Sequence, residues 1–314
     1  MADVELLIVG SVALDTVETR WGRHERILGG SASFAGAASA FFTRPEICAV
    51  IGEDFPEAHL DFLRSRGVGL GGLERAAGKT FFWNGRYAPD FKSRETLETQ
   101  LNVFADFRPR LPPPLRKPRF LFLGNIHPSL QLEVLSQVER PRLTACDTMN
   151  LWISTTPKEL RELLARVDVV LLNDEEVLQL SGEHDLLRAT RAVLAMGPGT
   201  IVVKRGDAGA LLFHDERLFV APAFPLDKVV DPTGAGDSFA GGFMGALAAL
   251  GTLGNPELRM AMIVGSTIAS FAVEDFSLDR FRRLTVEEIQ ERYAAFRELT
   301  EFPDLGHLLP AGAR

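Results

Sequence analysis

Residues 231–243 read Asp-Pro-Thr-Gly-Ala-Gly-Asp-Ser-Phe-Ala-Gly-Gly-Phe and are followed by more small, apolar residues. The proline and the first two glycines favour a tight turn. The run over residues 238–250 predicts a buried helix packed close to its neighbours. At such a helix start, the backbone N–H groups of Gly234, Ala235 and Gly236 would be unpaired. Together with the positive end of the helix dipole, they would form an anion site.

Asp237 lies directly beside this expected anion site. A carboxylate there would repel a bound anion, so simple anion binding is a poor explanation for the pair. The pair suits a reaction in which a base removes a proton from a hydroxyl while the charge on a transferring phosphoryl group is neutralised. The alternative is an ordinary capped helix with Asp in its first turn, but a cap requires neither glycine and does not require Thr233.

The motif Asp-x-Thr-Gly-Ala-Gly-Asp-Ser-Phe, followed by a glycine pair, resembles the C-terminal signature of the ribokinase-like (PfkB) carbohydrate and nucleoside kinases. The resemblance implies an α/β fold, with a doubly wound, mostly parallel sheet flanked by helices. It implies one kinase domain over residues 1–314, with a small inserted β-sheet lid contributed by about 12–28 and 72–105. It also implies ATP-dependent transfer of the γ-phosphate to a hydroxyl of a small sugar-like substrate, with Asp237 as the base.

Composition limits the class of protein. The 314 residues are 46% hydrophobic and 24% charged, which predicts a globular protein with a sizeable core. A net charge of −8 without a basic patch argues against a nucleic-acid partner. We see no signal peptide at the N-terminus and no apolar run long enough to span a membrane. Cys48 and Cys146 lie in apolar runs typical of reduced core residues, and we expect a cytoplasmic protein.

Strand-like and helix-like segments alternate along most of the chain, which predicts a parallel, doubly wound sheet. The predicted strands are residues 4–10, 46–52, 120–124, 143–147, 169–173 and 200–204. The predicted helices are residues 31–42, 55–66, 129–138, 157–165, 175–180, 184–196 and 286–299.

Five residues near the N-terminus are candidates for substrate binding. Asp15 is expected in a loop past the first strand, where a carboxylate can accept hydrogen bonds from hydroxyls, unless it is simply solvated. The resemblance assigns Asp15, Gly29, Gly30, Ser33 and Phe34 to the substrate. Many sugar kinases carry Asn where Phe34 stands, so this ring could stack on a sugar or a nucleobase, or it could fill the core.

Residues 79–87 and 94–102 mix aromatic, β-branched and charged side chains and predict the antiparallel strands of the lid. Phe82, Trp83 and Tyr87 could roof the substrate pocket and exclude water. They could equally be half-buried strand residues or the surface of a homodimer. Together with the aromatic residue at the first helix, they motivate the alternative of a nucleoside kinase of the same fold. A non-catalytic ligand sensor is a further alternative, disfavoured because the expected base and both glycines of the turn are present.

The motif Asn-x-x-Glu at Asn173 and Glu176 is a capping-box pattern at the end of a predicted strand. It is also similar to the family's second signature, which implies that these two residues position Mg²⁺, largely through water, near the phosphates. The two roles are compatible.

The segment around Lys204, Gly206 and Gly209 predicts a strand, a turn and another strand. The resemblance places it, with Thr233 and Asn173, against the nucleotide, where Lys204 would supply a point charge to a phosphate. The alternative is a hairpin with a solvated lysine.

Two further segments depart from the family pattern. Asp147 and Asn150 resemble a substrate-binding segment of some sugar kinases, but with altered spacing and no arginine following. Relatives often have glycine where Asp275 and Ser277 stand, at a loop where many bind a monovalent cation. The missing glycines make that cation site doubtful.

Overall fold

The computed structural model describes residues 4–303, and the predicted 1–314 domain therefore has its ends outside the described residues. The strands are β1 (Val4–Val9), β2 (Ala13–Thr19), β3 (Gly22–Gly29), β4 (Pro45–Ile51), β5 (Gly69–Arg75), β6 (Phe82–Tyr87), β7 (Arg94–Gln100), β8 (Pro118–Leu123), β9 (Leu143–Asp147), β10 (Val169–Asn173), β11 (Thr200–Lys204), β12 (Ala210–His214) and β13 (Arg217–Ala221). The α-helices are α1 (Ser31–Ser39), α2 (Glu57–Ser65), α3 (Pro128–Leu135), α4 (Asn150–Thr155), α5 (Pro157–Leu164), α6 (Asp174–Ser181), α7 (Leu186–Leu194), α8 (Ala235–Leu250), α9 (Asn255–Ala272), α10 (Asp279–Arg283) and α11 (Val286–Thr300).

Nine strands form the main sheet, in the order β13-β12-β11-β10-β9-β8-β1-β4-β5. All neighbours from β11 to β5 are parallel, and β12 and β13 continue the sheet as antiparallel strands. The parallel strands are nearly continuous apolar runs because helices cover both faces of the sheet. This architecture confirms the predicted doubly wound, mostly parallel sheet.

Successive residues of β1 point to opposite faces and mark the two halves of the core. Leu6 and Ile8 belong to the half that α1, α2, α8 and α9 cover. Leu7 and Val9 belong to the half covered by α3 to α7. Cys48 and Cys146 are buried and unpaired, and burial raises the pKa of the Cys48 thiol to about 12, so both serve as reduced core residues.

A second, smaller sheet has the strand order β3-β2-β6-β7. Its outer pairs are antiparallel, but β2 and β6 run parallel, so the small sheet is mixed rather than antiparallel as predicted. The second lid segment was expected to start at residue 72, yet β5 pairs with β4 at the edge of the main sheet. Asp15 lies within β2 and not in a loop.

Close packing fixes the position of α8. A Cβ on Gly241 would lie 2.4 Å from the Ala35 carbonyl oxygen of α1, and one on Gly245 would lie 2.9 Å from the Cα of Ser39. These glycines therefore allow α8 to lie directly against α1, as the small-sided run predicted. Within the described residues, no helix has the length and apolar character required to cross a membrane.

Candidate active site

The turn before α8 has the backbone conformation that its glycines predict. Gly234 is the N-cap of α8 with a left-handed φ of 73°, and no side chain caps this end. The Ala235 N–H donates to the Pro232 carbonyl at 3.2 Å. The N–H groups of Gly234 and Gly236 have no hydrogen-bond partner among residues 4–303. Two of the three amides expected to be unpaired are therefore open, and the amide of Ala235 instead closes the turn.

Two cavities meet at this turn. We call the first the lid cavity: it has a volume of about 810 Å³, lies between the small sheet and the carboxyl edge of the main sheet, and is lined at one end by Asp15, Gly234 and Asp237. We call the second the hairpin cavity: it has a volume of about 650 Å³ and is lined by the β11–β12 turn and by Gly236. The start of α8 therefore separates two compartments, with consecutive residues facing different ones.

The Asp237 carboxyl group has a pKa near neutrality. Burial raises the pKa of Asp237 to about 7, and the nearby Asp147 carboxylate contributes to the rise. The positive charges of Lys204 and Arg94 oppose it. A carboxylate with a pKa near 7 can accept a proton efficiently at that pH.

Lys204 is partly buried beside the turn and pairs with Asp147, with 2.5 Å between its Nζ and Oδ2 of the carboxylate. Burial alone would lower the pKa of Lys204, but the Asp147 and Glu176 carboxylates outweigh it, and the pKa is raised. A Cβ on Gly236 would lie 3.2 Å from this Nζ. A permanent positive charge therefore stands against the open amide of Gly236, on the wall of the hairpin cavity.

Of the other four residues predicted to bind the nucleotide, two line the hairpin cavity, one lines the lid cavity and one lines neither. Gly206 and Gly209 line the hairpin cavity with Lys204. Thr233 lines the lid cavity instead, and its hydroxyl donates to the Tyr87 hydroxyl at 3.1 Å. Asn173 lines neither cavity.

The glycine pair after β3 has a steric explanation. A Cβ on Gly29 would lie 2.0 Å from Oδ2 of Asp15, and Gly30, with φ of 93°, would place a Cβ 2.5 Å from the Ser11 carbonyl oxygen. Glycine alone lets the Asp15 carboxylate lie across the strand. Burial raises the pKa of Asp15 to about 8, with further contributions from the charges of Asp231 and Asp237.

The structure shows where the side chains of Ser33 and Phe34 lie, both of which the resemblance assigned to the substrate. Ser33 is fully buried away from the lid cavity, and it is Ser31, exchanging hydrogen bonds with Ser11 at 3.1 Å, that lines the wall. Phe34 borders the lid cavity but is only 1% exposed. Its ring lies against Gly234, where a Cβ would come within 2.4 Å of it. This geometry favours the core-filling interpretation of Phe34.

Asn173 and Glu176 form a complete capping box at the start of α6. The Glu176 N–H donates to Oδ1 of Asn173 at 2.7 Å, and the Asn173 N–H donates to Oε2 of Glu176 at 2.8 Å. Burial, with a contribution from the Asp147 charge, raises the pKa of Glu176 to about 7.

The residues near the hairpin cavity fit a divalent cation. Within residues 4–303, no group of three or more His, Cys, Asp or Glu side chains could ligate a metal directly. Mg²⁺ keeps several waters and needs few carboxylates. Asp147, Glu176 and Asp237 share Lys204 as a positive neighbour, and the pKa values of Glu176 and Asp237 are raised first by burial and then by the Asp147 charge. A hydrated cation beside these carboxylates would favour their ionised forms.

The loop considered for a monovalent cation is joined to the turn by the protein's own hydrogen bonds. Asp231 accepts from the Thr233 N–H at 2.8 Å and from the Ser277 N–H at 3.2 Å. Ser277 adopts a left-handed φ of 54°, a conformation that glycine takes more easily. The Asp275 carboxylate pairs with Arg283 at 2.6 Å. A monovalent cation at this loop stays a prediction.

The aromatic wall of the lid cavity differs from the one predicted. Trp83 lines it, but Phe82 packs into the core and Tyr87 joins a small apolar cluster around Val17 and Phe276. Phe81 and Phe104 take their place, with ring centroids 5.3 Å apart. Because strand side chains alternate between faces, residues 81 and 83 can share a wall while residue 82 cannot. That alternation is the signal that could have found Phe81.

Sequence reasoning missed the opposite wall of the lid cavity entirely. Trp152 of α4 donates its indole N–H to Oδ1 of Asn125 at 2.9 Å, and the His127 ring lies against it with centroids 5.0 Å apart. Arg94, on the lid side, brings a positive charge towards Asp15 and Asp237. The remaining polar lining includes Arg108 and Glu133. Of the two residues predicted in the segment after β9, neither Asp147 nor Asn150 lines a cavity, and Asp147 instead pairs with Lys204.

Comparison with known proteins agrees with this fold. A cytidine kinase from Thermococcus kodakarensis is 30% identical over 258 residues, which cover 77% of this chain and 87% of that protein. A nucleoside kinase of Methanocaldococcus jannaschii shares the fold with a TM-score of 0.75 at 18% identity, over 94% of this chain and 100% of that one. A putative ribokinase II from E. coli, solved with ATP and Mg²⁺, has a TM-score of 0.76 at 18% identity, over 93% and 99% of the two chains. Residues 9–280 match the model of the pfkB family carbohydrate kinases, and the chain therefore belongs to that kinase family.

Proposed function

We propose that this kinase transfers the γ-phosphate of ATP to a hydroxyl of a nucleoside. The observation that carries the proposal is the start of α8 standing between two cavities. Asp237 faces the lid cavity, whereas Gly236 and Lys204 face the hairpin cavity. An acceptor and a phosphate donor can thus meet at one helix N-terminus from opposite sides.

In the proposed reaction, Asp237 accepts the proton of the acceptor hydroxyl. The hydroxyl oxygen forms a bond to the γ-phosphorus while the bond from that phosphorus to the β,γ-bridging oxygen breaks, and ADP leaves. The open amides of Gly234 and Gly236 and the Lys204 ammonium stabilise the negative charge on the transferring group. Mg²⁺, held through water near Glu176, would supply further positive charge to the phosphates when bound.

The hairpin cavity suits the donor. Its far side is apolar, with Phe224, Val229, Ala269 and Val273 in its lining, and its near side carries Lys204. An apolar slot next to a cation matches a nucleobase joined to phosphates.

The lid cavity suits a nucleoside better than a sugar alone. A sugar requires hydroxyl partners, which Asp15 supplies, but it leaves most of about 810 Å³ unfilled. Phe81, Trp83 and Trp152 provide flat apolar surfaces on two sides. Base–aromatic stacking contributes roughly 1–3 kcal/mol per base. The similarity to a cytidine kinase supports the same choice.

A sugar acceptor is the second candidate, and one observation favours it. The end of the lid cavity next to Asp237 is polar, with Ser11, Asp15 and Ser31 in its lining. These groups alone could hold a small polyol.

The test is ADP formation from ATP and Mg²⁺ against a panel of nucleosides and free sugars, with the Asp237→Asn variant as control. We expect turnover with at least one nucleoside at a KM well below that of any sugar. Turnover with sugars only would overturn the nucleoside proposal in favour of the second candidate.

A further inference from the structure

The lid cavity carries two charged side chains that the proposed reaction does not use. Glu133 projects from α3, and Arg108 belongs to the extended segment that precedes β8. Both line the same cavity as the walls formed by Trp83 and Trp152. Their chemistry therefore bears on the part of the acceptor that does not react.

A side-chain amide holds the Arg108 segment against α3. Nε2 of Gln137 donates to the Pro109 carbonyl at 2.7 Å and to the Glu133 carbonyl at 3.2 Å, and its Oε1 accepts from the Leu111 N–H at 2.9 Å. Because the Gln137 amide contacts the backbone of both segments, the backbone next to Arg108 is held at a fixed position relative to the backbone of Glu133.

Both side chains have capacity for a ligand. Among residues 4–303, the Glu133 carboxylate has no hydrogen-bond or ion-pair partner, and it is half-buried. Arg108 uses only Nη1, which donates to the Phe107 carbonyl at 2.8 Å. The two charges do not bridge to each other within that part of the chain. A carboxylate is an acceptor only and a guanidinium is a donor only, so the pair presents an acceptor beside a fork of donors.

In the binding mode considered for a nucleoside, the base lies between the aromatic walls with its edge towards these two groups. A base edge complementary to the Glu133 carboxylate and the Arg108 guanidinium carries an exocyclic amine, which donates to Glu133, next to two acceptors for Arg108. Cytosine presents this order, with its 4-amino group, N3 and the O2 carbonyl. Uracil presents a carbonyl oxygen and an N–H at the first two positions, so the carboxylate would face an oxygen and the guanidinium a proton.

Resting on the proposed nucleoside kinase activity, we infer that Glu133 and Arg108 are specificity-determining residues that select a cytosine-type base. Glu133 accepts from the 4-amino group, and Arg108 donates to the ring nitrogen and the carbonyl. Pairings of this kind discriminate against the wrong base by about tenfold or more.

The experiment compares cytidine and uridine kinetics for the unmutated protein and Glu133→Gln. The glutamine has nearly the same shape, but its amide can donate to the uracil carbonyl. We expect the cytidine-to-uridine ratio of kcat/KM to fall by about tenfold or more, with the change in the nucleoside KM while kcat and the KM for ATP stay within about threefold. Glu183→Gln, an exposed position outside both cavities, should leave the ratio unchanged.

Arg108→Met is the second variant. We expect a higher KM for cytidine without a loss of thermal stability, because the Arg108 side chain is exposed and contributes only one hydrogen bond.

The outcomes distinguish the inference about Glu133 and Arg108 from the proposed nucleoside kinase activity. If nucleosides are phosphorylated but uridine is preferred, or Glu133→Gln leaves the ratio within about twofold, the inference about these residues is wrong and the nucleoside kinase activity stands. If no nucleoside is phosphorylated by the unmutated protein, the proposed function itself is wrong.

Discussion

Replacing Asp237 by Asn should separate the chemistry of the site from its stability. The substitution keeps the shape of the side chain but removes its capacity to accept a proton. If Asp237 is the base, turnover should fall by ~10²–10⁴ while the affinity for ATP changes little. In the unmutated protein, kcat/KM should rise with pH until the carboxylate is ionised, near its pKa of about 7, and then level off.

The same variant should be more stable than the unmutated protein at high pH. The pKa of Asp237 is raised from 3.8 to about 7, so between these values the folded protein keeps a proton that the unfolded chain has released. Stability from this group therefore falls as pH rises through that window, and the full penalty applies above pH 7. For a fully buried Asp237, the shift in its pKa corresponds to a loss of roughly 4 kcal/mol in the free energy of unfolding. Because the side chain is partly exposed to solvent, we expect a loss of about 1–2 kcal/mol.

Two assays check this prediction: pH–rate profiles with ATP in excess, and urea unfolding at pH 5.5 and pH 8.5. Asp61→Asn on the exposed surface of α2 is the matched control and should change neither quantity. Turnover within a few-fold of the unmutated protein would refute the role of Asp237 as base. Equal stability gains at both pH values would refute the electrostatic argument.

Three further substitutions test the surroundings of the site. Glu176→Gln can keep the hydrogen bond of the capping box, so the free energy of unfolding should stay within about 1 kcal/mol of that of the unmutated protein. In a Mg²⁺ titration, half-maximal activity of this variant should require more Mg²⁺. Lower stability with an unchanged Mg²⁺ dependence would leave Glu176 only its capping role. Lys204→Met leaves the Asp147 carboxylate buried without its partner and should cost about 3–5 kcal/mol in urea unfolding. The double variant Lys204→Met/Asp147→Asn should recover part of this loss of stability. If the effects of the two substitutions on the free energy of unfolding were strictly additive, the Lys204–Asp147 ion pair would not be stabilising. Phe34→Ala opens a cavity over Gly234 and should cost about 3–5 kcal/mol; a small loss with selectively weakened nucleoside binding would show instead that the ring contacts the base.

The main sheet was predictable because each of its buried strands is a short, mostly apolar segment that can be recognised in the sequence alone. The predicted strands at residues 143–147, 169–173 and 200–204 coincide with β9, β10 and β11 residue for residue. Each is mostly apolar and ends in a polar residue, and burial on both faces leaves little ambiguity. The start of α8 was predictable for a related reason, since proline and glycine restrict the backbone locally.

The walls of the lid cavity were not predictable at the same level. The choice between Phe82 and Phe81, or between Ser33 and Ser31, depends on which face of a strand or helix meets the ligand. A side chain one position away points elsewhere, so the segments were correct while Phe82 and Ser33 were the wrong residues within them; Trp83 does line the cavity.

The sequence by itself determined the parallel sheet, the turn that opens α8, and the candidate base beside that turn, whereas the structure showed that two of its three amides are open. These depend on local backbone preference and on apolar runs. Only the tertiary structure decided that Lys204 meets Asp147, 57 residues earlier, and that Arg108 and Glu133 line one cavity with Trp152. These contacts join segments far apart in the chain, and their geometry follows from how the two sheets and the helices pack. Local sequence patterns do not encode such distances, because no single segment contains both partners.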